Sequence, residues 1–187
     1  MIEKIMLVNK NDRMMGYAEK MKVHKEGKLH RAFSIFVFNK EGQLLIQKRA
    51  KTKYHSGGLW SNTCCGHQRF GESLEKSAHR RLKEEMRFDC GLEEKFTFTY
   101  KIKFDNGLTE NEYDHVFVGS FDGEPRPNPK EVSEWKWIHI RDLNPEYCKI
   151  AEERLRKVPE RLILTIIRKR GMNDKYVIHN KIQTSQG

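Results

Sequence analysis

Glu110 and Glu112 stand two residues apart in the run Glu110-Asn111-Glu112. On an extended strand both carboxylates leave the same face, roughly 7 Å apart, a spacing that suits two acids converging on one cation. The run Asn62-Thr63-Cys64-Cys65-Gly66-His67 sets a thiol beside a glycine and an imidazole. An unpaired cysteine is usually a small buried hydrophobe, but a nearby divalent ion or cationic pocket favours its thiolate. Cys64 is adjacent, so position alone does not choose between the two thiols. His24, His30 and His67 are scattered over some forty residues with no short ligand spacing, so spacing alone does not join them at one ion.

From Gly66 through Glu72 to Arg80-Arg81-Leu82-Lys83-Glu84-Glu85, a glycine-rich loop feeds a helix that bears two arginines and two acids. Glu84 lies one turn beyond Arg80, and Glu85 one turn beyond Arg81. Taken alone these pairs describe a charged surface helix. Arg81 and Glu85 also flank the apolar stripe, so they can reach inward to whatever the loop encloses. Lys20, Arg49 and Lys53, taken singly, read as solvated surface charges.

These residues need elements to hold them. Ile2 to Val8 reads as a first strand with a turn at residues 9–12, and Phe33 to Asn39 and Gln43 to Lys48 as two strands around a Lys40-Glu41-Gly42 hairpin signal. Lys51 to Gly71 is rich in glycine and weak in periodicity, which predicts one long structured loop. Ser73 is an N-cap for a helix whose stripe is Leu74, Ala78, Leu82 and Met86. Phe96, Phe98, Tyr100, Ile102 and Phe104 alternate along a long strand that turns at Asp105-Asn106-Gly107 and returns to about Phe121. A three-residue loop with Gly107 in the left-handed region puts Tyr100 opposite Glu112 and Ile102 opposite Glu110. A two-residue loop instead puts Lys101 and Lys103 there, as surface ion pairs. A short strand from Glu134 to Ile140, helices at residues 145–157 and 160–170, and a frayed tail complete an α/β (α+β) sandwich.

The 187 residues suit one domain, spanning 1–170 with its core at about 30–140, and a basic polar tail at 171–187. The longest strongly apolar stretches, Phe33 to Phe38 and Leu162 to Ile167, are far shorter than the roughly 20 residues that cross a bilayer. Met-Ile-Glu-Lys-Ile-Met-Leu-Val resembles no secretory signal, so the expectation is a cytoplasmic protein with four cysteines (Cys64, Cys65, Cys90, Cys148) kept as thiols. Net charge is +10, but residues 149–187 hold ten Lys and Arg against four Asp and Glu. With most of the excess in that segment, neither nucleic acid nor a membrane is the expected partner.

The spacing from Gly66 to Glu85 resembles the Nudix box, which positions acids to hold a divalent metal against a diphosphate. Two positions depart from it: Arg80-Arg81 stands where the box reads Arg-Glu, and Arg87 where it reads Gly. Cys65-Gly66-His67 at the mouth of that box, with Glu110-Asn111-Glu112 downstream, resembles the type I isopentenyl-diphosphate isomerases, over about residues 1 to 140. In that family an arginine that binds diphosphate occupies the position of Arg81.

The resemblance implies a Nudix-type mixed-sheet α/β/α sandwich with a C-terminal helical extension. It implies a 1,3-proton shift between isopentenyl and dimethylallyl diphosphate through a tertiary cation. Cys65 and Glu112 would be the acid/base pair, with Tyr100 on the Glu112 side. Lys20, Arg49, Lys53 and Arg81 would clamp the diphosphate, with Mg²⁺ at Glu85, while His24, His30, His67, Glu110 and Glu112 would hold Zn²⁺ or Mn²⁺. It also favours the three-residue hairpin loop. The expected assembly is a monomer or weak dimer. The alternative is a Nudix hydrolase of a nucleoside or prenyl diphosphate, supported by Glu72, Glu84 and Glu85 and opposed by Arg81. A catalytically inactive binding module using the basic C-terminal helices is a third reading. The family's C-terminal tryptophan has no counterpart after Trp137, and Tyr147 is the aromatic that would replace it.

Overall fold

The computed structural model describes residues 2–53 and 56–143. The helices expected at 145–157 and 160–170, Tyr147, Cys148 and the tail lie outside the described residues. Within them the strands are β1 (Lys4–Val8), β2 (Met14–Glu19), β3 (His30–Phe38), β4 (Leu44–Arg49), β5 (Trp60–Ser61), β6 (Cys64–His67), β7 (Leu92–Lys103), β8 (Thr109–Ser120) and β9 (Val132–Ile138), and the helices are α1 (Lys20–Glu26) and α2 (Leu74–Met86).

β3 organises the sheet. One edge runs parallel to β8 from His30↔Glu112 to Phe38↔Ser120, and the other runs antiparallel to β6 from Ala32↔His67 to Ile35↔Cys64. Its odd residues Phe33, Ile35 and Val37 pack under α2 against Ala78, Leu82 and Met86. Phe36 and Phe38 join Leu44, Ile46, Trp60, Val116 and Val118 in a second cluster, and alternation along the strand assigns them to the other face. Each such large side chain, fully buried, contributes about 1.5–3 kcal/mol. On that second face the row continues through Ser34 and Ala32 to His30, so a hydrophobic half gives way to a polar half.

The hairpin expected between β3 and β4 forms its turn but not a ladder. Only Phe38↔Leu44 pairs there, and β4 turns to β9 from Leu44↔Ile138 to Arg49↔Val132. Thr63 occupies the gap: its hydroxyl accepts from Val37 N at 2.9 Å and donates to Leu45 O at 2.7 Å. The expectation of one loop from Lys51 to Gly71 is corrected, because that segment contains β5 and β6. Cys64-Cys65-Gly66-His67 lacks alternating hydrophobicity, and it is the β3 edge that makes it a strand.

α2 begins where expected, with the Ser73 hydroxyl accepting from Lys76 N at 3.2 Å. It ends at Arg87, whose φ of 62° is left-handed. The β7–β8 hairpin adopts the three-residue loop: Gly107 has φ 81°, Tyr100 faces Glu112 and Ile102 faces Glu110.

Candidate active site

Six elements bring the chemistry-bearing residues together. α1 supplies Lys20 and His24, one helical turn apart, and its His24 is fully buried. β3 supplies His30, β6 supplies Cys65 and His67, β7 supplies Tyr100, β8 supplies Glu110 and Glu112, and α2 supplies Arg81 and Glu85. Glycine permits the closest approach. A Cβ on Gly66 would stand 2.7 Å from Phe33 Cζ and 3.0 Å from Arg81 Cγ, so only glycine lets α2 carry Arg81 down onto β6.

His24, His30, His67 and Glu110 present ligand atoms that all lie within 4.8 Å of one another. The three imidazole rings form a near-equilateral triangle with centroid separations of 4.9, 4.9 and 5.1 Å. His24 Nδ1 lies 2.7 Å from Lys20 O, and His30 Nδ1 lies 2.8 Å from Lys28 O. A carbonyl only accepts, so in each neutral ring the proton sits on Nδ1 and Nε2 is left as a lone pair. Those lone pairs face carboxylates: His24 Nε2 is 3.1 Å from Glu110 Oε2, and His30 Nε2 is 3.6 Å from Glu110 and 3.8 Å from Glu112. His67 Nε2 is 3.0 Å from Glu112 Oε1. Such a convergence of lone pairs repels itself unless a proton or a cation stands between them. With a proton alone, burial lowers the His30 pKa, but Glu110 and Glu112 outweigh it and lift it to about 9. Imidazole nitrogens with carboxylate oxygens also fit a borderline divalent metal ion, and this cluster can hold one.

Beside the cluster opens a pocket of about 810 Å³, its mouth included, bordered by Cys65, Gly66 and His67 on β6 and by Glu110 and Glu112 on β8. Lys20, Arg49, Lys53 and Arg81, the four expected cations, all line it. Burial lowers the Lys20 pKa, and the nearby Arg81 and Lys53 charges add to that. For Arg81 burial acts the same way, yet Glu85 and its neighbours hold the guanidinium more firmly protonated than usual. Arg81 bonds Glu84 at 2.5 Å and also Glu85. Glu85, expected at Mg²⁺, also lines the pocket, and Gln47 Nε2 donates to its Oε2 at 2.7 Å.

Sequence reasoning missed three charged residues of this wall. Glu3, Arg69 and Glu131 line the pocket; Glu3 bridges Lys20 at 3.3 Å and Arg69 at 2.6 Å, and Glu131 pairs with Lys53. Glu3 lies in the predicted first strand, Arg69 in the segment read as a loop and Glu131 after a proline-rich loop, and no spacing to other charged residues marked any of them. The wall thus carries five Lys or Arg and five Glu. A polyanion gains little net attraction there until a divalent cation offsets the acids. The described residues of the wall are mostly polar and charged.

Cys65 and Glu112 flank the same strand, Cys65 opposite Ser34 and Glu112 opposite His30, and both border the pocket. The Tyr100 hydroxyl donates to Glu112 Oε2, as the hairpin register requires. Cys64 points into the core beneath α2, where burial pushes its thiol well above the ordinary range. Of the two adjacent thiols, Cys65 is the one that borders the pocket. Glu72 and Glu84, the acids of the hydrolase alternative, are engaged by Arg80 at 2.8 and 3.2 Å.

Curled mixed sheet, loop-helix box and metal-competent acids together define a NUDIX-domain protein, and the NUDIX domain matches residues 28–161. The fold is shared with the Deinococcus radiodurans protein DR0079 (TM-score 0.61, 22% identity, 73% of this chain and 83% of that one) and with a Burkholderia pseudomallei MutT NUDIX hydrolase (0.58, 20%, 70% and 98%). The chain is 57% identical over 143 residues to isopentenyl-diphosphate Delta-isomerase 2 of Photorhabdus laumondii, covering 76% of this chain and 81% of that one. It is 49% identical over 152 residues to the enzyme of the same name from Aromatoleum aromaticum, covering 81% and 80%. Within the NUDIX class, the chain belongs to the isopentenyl-diphosphate Delta-isomerase family.

Proposed function

We propose that this protein interconverts isopentenyl and dimethylallyl diphosphate by a 1,3-allylic proton shift. The observation that carries the reading is a thiol and a tyrosine-bonded carboxylate, Cys65 and Glu112, bordering one pocket that Lys20, Arg49, Lys53 and Arg81 also line. A proton added to the terminal alkene carbon leaves a tertiary cation, and loss of a proton two carbons away closes the new double bond. No group is transferred and no redox partner is needed, so the chemistry asks for two acid/base groups and a fixed substrate.

Cys65 and Glu112 exchange those two protons, and Tyr100 orients Glu112 through its hydroxyl. The four cations hold the diphosphate, Arg81 by a planar fork suited to phosphate oxygens. His24, His30, His67, Glu110 and Glu112 would hold Zn²⁺ or Mn²⁺, which fixes the carboxylates against the imidazoles, and Glu85 would hold the Mg²⁺ that offsets the diphosphate charge. We read the protein as cytoplasmic, a monomer or weak dimer, with residues 1–170 acting as one unit and residues 171–187 as a tail. Its partner is a small diphosphate, with neither nucleic acid nor membrane.

Purified protein supplied with Mg²⁺ and either Zn²⁺ or Mn²⁺ should interconvert the two isomers, and Cys65→Ala and Glu112→Gln should each lose that activity. Full activity in either variant overturns the assignment. Phosphate release from a panel of diphosphates without isomerisation would favour the hydrolase.

A further inference from the structure

Asn62 is fully buried beside Cys65, and every polar valence of its amide is used. Its Nδ2 donates to Ile35 O at 3.0 Å and to Cys64 O at 2.9 Å, main-chain carbonyls of β3 and β6. Its Oδ1 accepts from Ser61 Oγ at 3.1 Å and from Cys65 Sγ at 3.0 Å. A flipped amide would turn the oxygen onto two carbonyls and the nitrogen onto the hydroxyl and the thiol. The main chain therefore fixes which end faces sulfur.

A second polar neighbour of the sulfur is Ser34. Ser34 Oγ is 3.8 Å away, and its own proton goes to Asp114 Oδ2 at 2.7 Å. With that hydrogen committed, Ser34 offers sulfur only lone pairs. Of these two acceptors the shorter contact, to Asn62, takes the thiol proton.

We propose that Asn62 is a positioning residue for the proton shift. Its clamped amide holds the Cys65 S–H and fixes the rotamer that keeps sulfur at the pocket wall. Asn62 does not touch substrate; it acts through Cys65. The role rests on the reading of Cys65 as one member of the acid/base pair. Loss of the clamp leaves sulfur free to turn toward Ser34 or the open pocket, and misplacement of a reacting group by about 1 Å can cost on the order of 100-fold in rate.

Two readouts test this on the full-length, metal-loaded protein. The infrared S–H stretching band of Cys65, assigned by its loss in Cys65→Ala, is expected on the strongly hydrogen-bonded, low-frequency side. Asn62→Ala should move it to higher frequency and lower kcat about 10- to 100-fold while leaving KM within about twofold. Where Asn62→Ala fails to fold, Ser61→Ala serves: it removes the competing donor to Oδ1, and the Cys65 band should move to still lower frequency. A Cys65 band unmoved in either variant overturns the proposal, as does an unchanged kcat in folded Asn62→Ala. The band reports the contact whether or not the wild type isomerises, so an inactive wild type with the expected shifts refutes the proton-shift reading and leaves the clamp standing.

Discussion

Arg87 occupies a left-handed position, φ 62° and ψ 21°, at the end of α2, where its backbone N–H bonds Lys83 O. A side chain there pays a steric penalty that glycine avoids. Arg87→Gly should therefore raise unfolding stability by about 0.5–1 kcal/mol in denaturant titration, the greater freedom of unfolded glycine offsetting part of the gain. An unchanged or lower stability would contradict the strain. Glu3 shows a second residue-scale effect. Burial would raise its pKa, but Lys20 and Arg69 outweigh burial and bring it from 4.5 to about 2. The folded value lies below the unfolded one, so this stabilisation is complete above about pH 4.5 and is lost as pH falls toward 2. Glu72, Glu84, Asp89 and Glu131 are depressed in the same direction, each by basic neighbours that outweigh burial. Stability should fall across that window, and Glu3→Gln should lose less than wild type there when unfolding midpoints are compared.

At the scale of elements, Gly66 is where helix and sheet meet. Gly66→Ala forces a methyl against Phe33 and Arg81, the first a core ring and the second a pocket cation. Overpacking of this kind costs about 1–3 kcal/mol, and weaker diphosphate binding should accompany the loss of stability because Arg81 must shift. Unchanged stability and binding would contradict the fit. How legible each element was follows from where its information resides. α2 and the β7–β8 hairpin were readable because a cap, a 3.6-residue stripe and a turn glycine are local signals. The hairpin register in turn fixed Tyr100 against Glu112. β2 and α1 were not readable: β2 is exposed or half-buried throughout, and α1 is seven residues long with no side-chain cap at Glu19. Only their packing against β1 and β8 specifies them, yet α1 carries Lys20 and His24. β6 likewise takes its strand form from β3, and Thr63 separates β3 from β4 by contacts distant in sequence. The residues of the site were thus largely nameable in advance through a family resemblance, while Glu3, Arg69 and Glu131 needed the fold.

For the whole molecule, the histidine-carboxylate cluster joins α1, β3, β6 and β8, so an ion there would cross-link elements distant in sequence. Metal-free protein should melt lower than protein given Zn²⁺ or Mn²⁺, with the melting temperature rising with ion concentration. Saturation at about 100 times the dissociation constant corresponds to roughly 2.7 kcal/mol. Glu110→Gln should blunt that rise, and a melting temperature indifferent to both ions would remove the cluster's metal role.

The most direct test of the proton shift follows isopentenyl diphosphate with metal-loaded protein in D₂O by NMR. Protonation of the terminal carbon by an exchanged group should put deuterium in a methyl group of dimethylallyl diphosphate, and reversal should spread it into recovered substrate. Glu112→Gln and Cys65→Ala should give neither label. Diphosphate cleavage without deuterium in the carbon chain, or full labelling by either variant, would contradict the assignment.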